Sequence, residues 1–255
     1  YAENIISSNH CNLKLIVDPF LDQNEHYNQL GIKQSKKFED LLEANDIDGV
    51  VLCSPSKHHV KQIKILSTTI KNIFCEKPLG LSVQEILDVK SEVEKNNLNL
   101  HVGFNRRYDP DFADLQQSIE NNEVGDIHMI KITSRDPAPP PIDYIKTSGG
   151  IFLDMTIHDF DMIKYLSNSE ISEIYVKGGC FIDPQIKKAG DVDTAIISMK
   201  LKSGVLATIN NSRKAVYGYD QRIEVLGSRG ILKVPNRLLS GLETGSSNGF
   251  IKSNP

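Results

Sequence analysis

The 255-residue sequence has no long apolar run, no tract of basic residues and no glycine in its first thirty positions. Each absence excludes something. A spanning helix needs about 18–20 consecutive apolar residues, so no membrane helix is expected. The opening Tyr1-Ala2-Glu3-Asn4 has neither the basic start nor the apolar stretch of a secretory leader. Lys and Arg number 29 against 33 Asp and Glu, a net charge of −4. No stripe of cations is present to neutralise phosphates, so a nucleic-acid partner is not expected. The densest basic run, Lys33 to Lys37, is followed at once by Glu39 and Asp40 and reads as the solvated start of a helix. The four cysteines, Cys11, Cys53, Cys75 and Cys180, form no Cys-x-x-Cys pair, and three sit in or beside apolar runs. They read as buried, reduced thiols of a cytoplasmic protein, not as a disulfide framework or zinc site.

What is present is an alternation. Short apolar strands at 13–17, 49–53, 73–75 and 98–102 are separated by segments of helical spacing at 35–44, 57–69 and 81–96. That order predicts a parallel sheet covered on both faces. After about residue 105 the pattern changes. A helix near 111–120 leads to a strand near 127–133, a proline-rich loop at 136–141 and a helix over about 150–166. The remainder, 171–234, reads as five strands separated by Gly/Ser turns, and 240–255 reads as a loose tail. The fold class is therefore α/β: a Rossmann-type parallel sheet over 1–105 joined to an α+β domain with a mostly antiparallel open sheet over 106–255.

Such an arrangement suggests a dinucleotide site, whose fingerprint is Gly-x-Gly-x-x-Gly after a first strand and an acid about 20 residues later. The acid is there, because Asp18 ends the strand at 13–17, but the first glycine is Gly31. Residues 1–9 read as the helix that follows the glycine turn. The expectation is a dinucleotide domain truncated at its N-terminus, without the first strand and phosphate loop; a fold that never had them is the alternative.

Two segments carry chemistry. Glu76-Lys77-Pro78 follows a strand, which places a lysine at the carboxyl end of the sheet, where ligands of open α/β sheets bind. An ordinary turn lysine fits the same tripeptide. Downstream, Gly149-Gly150 precedes Asp154, His158, Asp159 and Asp161. Asp154 and His158 are four apart and share one face of a helix. Histidine is the side chain best matched to moving a proton near neutral pH, and a carboxylate one turn away could orient its ring. A surface ion pair is the plainer reading. A metal bound by Asp154, His158 and Asp161 is a third reading, but the spacing carries none of the defined zinc signatures and no metal is expected.

Together the two segments resemble the Gfo/Idh/MocA family of NAD(P)-dependent oxidoreductases, over nearly the whole chain from Asp18 to about Val234. Further segments, Asn105-Arg106-Arg107-Tyr108-Asp109, Ser134-Arg135-Asp136-Pro137 and Tyr217-Gly218-Tyr219-Asp220, point to a branch acting on cyclitols. The resemblance implies the following roles. Lys77 contacts the substrate hydroxyl and the cofactor, Asp154 holds substrate and His158 together, and His158 is the general base. Asp18 binds the adenosine ribose. Ser54, Pro55, His58 and Glu76 line the cofactor site. Arg106, Asp136 and Tyr219 face a polyol. The implied cofactor is NAD, since a carboxylate at Asp18 accepts from a free ribose hydroxyl and repels a 2′-phosphate. The implied activity is hydride transfer from a secondary alcohol of a cyclitol or sugar, with myo-inositol to scyllo-inosose as the best guess. A related sugar or dihydrodiol dehydrogenase, or a non-catalytic binding relative, are the alternatives. Keeping Lys77, Asp154 and His158 together argues against the last, because a sensor has no use for a proton relay. A homo-oligomer formed through the C-terminal sheet is also expected.

Overall fold

The computed structural model describes all residues except 45, 237–242, 247–248 and 253–255, with 243–246 and 249–252 described by their backbone only. The chain divides into two compact units, Tyr1–Gly103 and Phe104–Pro255.

In the first unit the helices are α1 (Ala2–Ile6), α2 (Glu25–Gln29), α3 (Asp40–Glu43), α4 (His59–Leu66) and α5 (Val83–Asn96), and the strands are β1 (Leu15–Val17), β2 (Lys33–Ser35), β3 (Gly49–Leu52), β4 (Asn72–Glu76) and β5 (Asn99–Gly103). All pairings are parallel: β1 with β2, and β3-β4-β5 as a separate sheet. Among the described residues no ladder joins β1 to β3. The core places Val50, Leu52, Ile73 and Cys75 of the strands against Ile63 and Leu66 of α4 and Val89 of α5. Helix α5 starts sharply because Ser82 and Glu85 form a reciprocal capping box, and it ends at Asn97 in the left-handed region.

Two expectations fail here. The basic run does not start a helix: Lys33, Gln34 and Ser35 pair with Leu15, Ile16 and Val17. The ladder satisfies the backbone of β1, and that outweighs the local charge pattern. The helix expected over 35–44 shrinks to α3. The cysteines are all free thiols, but only Cys75 is buried; Cys11 and Cys53 are exposed. Cys53 continues the alternation of β3, in which Val50 and Leu52 point inward, and so faces outward. Burial pushes the Cys75 thiol up to about 12.

The second unit is a six-stranded sheet in the order β11-β10-β6-β9-β8-β7, formed by β6 (Ile127–Arg135), β7 (Ile171–Gly179), β8 (Thr194–Leu201), β9 (Leu206–Ser212), β10 (Asp220–Gly227) and β11 (Gly230–Val234). Every pairing is antiparallel except β6 with β9. One face carries α6 (Pro110–Glu120) and α8 (Ile157–Ser167), whose Phe112, Leu115, Met162, Ile163 and Leu166 pack on Ile130, Ile132, Ile197, Ile209 and Val225. The opposite face leaves Met129, Ile196, Leu206 and Leu226 exposed.

Two short helices, α7 (Ile142–Ser148) and α9 (Pro184–Lys188), were not expected. The helix expected over 150–166 is not uniformly α: Phe152–Thr156 is a π-helical turn leading into α8. Part of the expected loose tail is paired, since Glu243–Ser246 (β12) forms an antiparallel hairpin with Gly249–Lys252 (β13). The rest of that expectation lies outside the described residues.

Candidate active site

In the first unit the singled-out residues gather at the carboxyl ends of parallel strands. Asp18 follows β1; its backbone N–H donates to Ser35 O at 3.0 Å, and its exposed carboxylate accepts from Phe20 N at 2.8 Å. Ser54 and Pro55 follow β3, and the Ser54 hydroxyl donates to the Gln62 side chain. Glu76 ends β4, and its carboxylate accepts from the Tyr1 hydroxyl and from Lys77 N. Burial, reinforced by this carboxylate, pushes the Tyr1 phenol up. Lys77 is half-buried, and its peptide bond to Pro78 is cis. His58 is exposed, whereas its neighbour His59 is buried and bonded at both ring nitrogens. Sequence reading gave His59 no role, because two adjacent histidines at a helix start carry no sign of which turns inward.

In the second unit a single charged neighbourhood forms around the Gly149-Gly150 segment. Gly149 ends α7 with φ +85°, and Gly150 has φ +76°. A Cβ on Gly150 would lie 2.7 Å from Asp191 Oδ1, so the glycine makes room for that carboxylate. Asp191 in turn accepts from Ile151 N at 3.0 and 3.1 Å, which satisfies an orphan donor where the helical segment begins.

Asp154 sits in the π-helical turn, a feature common at functional sites. Both of its oxygens are held: Oδ1 accepts from Tyr144 Oη at 2.8 Å and Oδ2 from Arg213 Nη1 at 3.1 Å. Arg213, with a side chain only 1% exposed, also stands 3.6 Å from Asp191. Burial, and then Asp154, pushes the Tyr144 phenol up to about 12. His158 lies on α8 about one turn beyond Asp154, with its ring edge-on to Phe104 at 6.3 Å.

Arg106 is committed to a buried ion pair with Asp159 and donates to Ser134 Oγ at 3.1 Å. Its side chain keeps 13% exposure, so only its rim can meet a ligand. Asp136 is half-buried. Burial raises its carboxyl above the usual range; Arg213 and Arg106 oppose the shift, and Asp154 and Asp159 add to it. Asp136, Asp154, Arg106, Arg213 and Asp159 thus share one electrostatic environment. Tyr219 stands apart at 62% exposure on the loop before β10. Asp161, the third residue of the candidate metal set, is engaged by Arg107 through two hydrogen bonds.

Arg213, Tyr144 and Asp191 escaped the sequence reading. Only the glycine pair hinted that something approaches the backbone there; a single arginine after a strand has no pattern to read.

Comparison with known proteins covers both units. Residues 1–104 match the family model described as oxidoreductase family, NAD-binding Rossmann fold (GFO_IDH_MocA), and 112–233 match the GFO/IDH/MocA C-terminal domain. An uncharacterized oxidoreductase of Bacillus subtilis is 45% identical over 86% of this chain and 64% of its own length. A myo-inositol 2-dehydrogenase of Thermotoga maritima is 44% identical over 92% of this chain and 71% of its own length. The chain therefore spans about two thirds of these relatives. Among solved structures, scyllo-inositol dehydrogenase from Lactobacillus casei with bound NAD(H) and scyllo-inositol superposes with a TM-score of 0.87 at 29% identity, over 99% of this chain and 77% of that one.

Proposed function

Since this chain belongs to the Gfo/Idh/MocA oxidoreductase family, whose N-terminal domain is an NAD-binding Rossmann fold, we propose that it serves the NAD-dependent oxidation of a cyclitol secondary alcohol, myo-inositol to scyllo-inosose. The observation that carries this reading is Asp154, held at both oxygens by Tyr144 and the buried Arg213, one turn before His158.

Oxidising a secondary alcohol removes the hydroxyl proton as hydride leaves the carbon. In this reading His158 takes that proton, and Asp154, held by Tyr144 and Arg213, stabilises the imidazolium that results. Lys77 supplies a cation for the developing alkoxide. NAD, when bound, supplies the hydride acceptor. The residues present fit part of that group: Asp18 offers an exposed carboxylate to the adenosine ribose, and Ser54, Pro55, Glu76 and Lys77 stand at strand ends. His58, being exposed, is a candidate for the cofactor rim only. No glycine turn for the pyrophosphate lies among these residues. The polyol hydroxyls fall to Asp136, Asp154 and the rim of Arg106, with Tyr219 as an outer contact.

The test is cofactor reduction by a chain with a strand and a Gly-x-Gly-x-x-Gly turn fused ahead of Tyr1. It should reduce NAD with myo-inositol and prefer NAD to NADP. Equal kcat/KM with both cofactors, or no turnover of any cyclitol or sugar, would refute the reading.

The second unit is read as the substrate and assembly domain. Its uncovered sheet face, with Met129, Ile196, Leu206 and Leu226 exposed, supports a homo-oligomer through that face. Ile196→Lys with Leu206→Lys should convert the assembly to monomers in light scattering; an unchanged mass would place the interface elsewhere. No described helix is long and apolar enough to cross a membrane, and a cytoplasmic location belongs to the same reading.

A further inference from the structure

We infer that Asp191 is a positioning residue for Asp154, acting through the buried guanidinium of Arg213 that the two carboxylates share. Its weight in catalysis rests on the reading of Asp154 and His158 proposed above.

The chain around Asp191 fixes where it stands. Its N–H donates to Ile186 O of α9 at 3.1 Å. Two residues on, the carboxylate of Asp193, 0% exposed, accepts from Phe181 N at 2.9 and 3.0 Å and from Ile182 N at 2.8 Å. The Asp193 carbonyl accepts from Arg213 N at 2.8 Å. The segment carrying Asp191 is thus folded onto itself and tied to the backbone of the arginine it faces. The Asp191 side chain, 9% exposed, then reaches two groups. It accepts from Ile151 N, where the segment bearing Asp154 and His158 begins, and its Oδ2 lies 3.6 Å from Arg213 Nη2.

Arg213 cannot give up its charge, and a buried charge is tolerated only where counter-charges face it. Asp154 faces Nη1 and Asp191 faces Nη2. Buried Nε and Nη2 make no hydrogen bond among the described residues, so charge attraction holds that side of the group. Without the charge of Asp191, the guanidinium is free to turn two nitrogens onto Asp154 in the paired geometry that arginine and carboxylate favour. Asp154 is then drawn away from Tyr144 and from the helix turn that carries His158.

Two variants separate this role from that of a plain acceptor for Ile151 N. Asp191→Asn keeps an oxygen for Ile151 N and removes the charge facing Arg213; Asp191→Ala removes both. In the 255-residue chain, amide exchange at Ile151 should rise by about tenfold or more in Asp191→Ala, the scale of a lost bond to a charged acceptor. It should rise far less in Asp191→Asn. The 13C signal of the Asp154 carboxylate, assigned by its loss in Asp154→Asn, should shift in both. In the extended chain both should lose about 10²-fold in kcat, the cost of a misplaced reacting group, with KM moving less. Arg213→Met combined with Asp191→Ala should lose no more than Arg213→Met alone, because one residue acts through the other. Wild-type kcat in Asp191→Asn, an unmoved Asp154 signal, or additive losses would overturn the inference. If Asp191→Ala does not fold, Asp191→Asn and the Asp154 signal decide. If the extended chain oxidises no polyol, the proposed function falls, and the Asp154 signal still decides whether Asp191 positions that carboxylate.

Discussion

His158→Ala in the extended chain should lose about 10²–10⁴-fold in kcat, the usual contribution of a positioned general base. The fold should persist, because His158 is only half-buried and lies outside the apolar core formed by Met162, Ile163 and Leu166 on the same helix. The loss should appear in kcat more than in KM, since the base acts on a proton that moves only as the bond to hydride breaks. Lys77→Ala should fall in the same range, for want of a cation at the alkoxide. The measurement is steady-state NADH production across pH. Near-normal turnover in His158→Ala, with an unchanged pH profile, would make the histidine a packing partner of Phe104 and nothing more.

Asp159→Ala should produce the largest loss of stability in the second unit, about 3–5 kcal/mol, the cost of breaking a buried pair and leaving one charge unpaired. Asp159 is 0% exposed. Its Oδ1 accepts from Arg106 and from Ser134 Oγ, and its Oδ2 from Asn211 Nδ2 at 2.7 Å. Truncation removes the carboxylate that all three donors share, and Arg106 cannot give up its charge. Urea unfolding should be followed through probes in the second unit, because two compact units need not unfold in one transition. A shift below about 1 kcal/mol, the range of exposed pairs, would mean that water reaches the pair. The same substitution frees Arg106, so polyol KM should change along with stability.

How much was legible follows from which interactions are local. The alternation of 49–53 and 73–75 with the amphipathic α4 and α5 announced parallel strands, but the expected cover on both faces is not found: Val50, Leu52, Ile73 and Cys75 lie in the core, whereas Val51 and Cys53 on the other face are exposed. The Ser82/Glu85 box and the period-two pattern of β8 lie within a few residues of sequence. By contrast, β2 was missed because Lys33–Ser35 is a strand only by virtue of β1 beside it. The π-helical turn was missed because Asp154 and His158 look the same whether the turn between them is regular or widened.

The sequence determined the class of fold, the family, and the types of residue available for proton transfer and alkoxide stabilisation. Each of these rests on side-chain periodicity or on motifs contained in short segments. Only the tertiary structure decided which charges meet. Arg213 reaches Asp154 across 59 positions of chain, and Arg106 reaches Asp159 across 53. Of the adjacent pair His58 and His59, it is His59 that turns inward to bridge two strand ends. Such pairings are set by strand order and by the burial that makes an unpartnered charge or imidazole costly, and neither is encoded in the spacing of nearby residues.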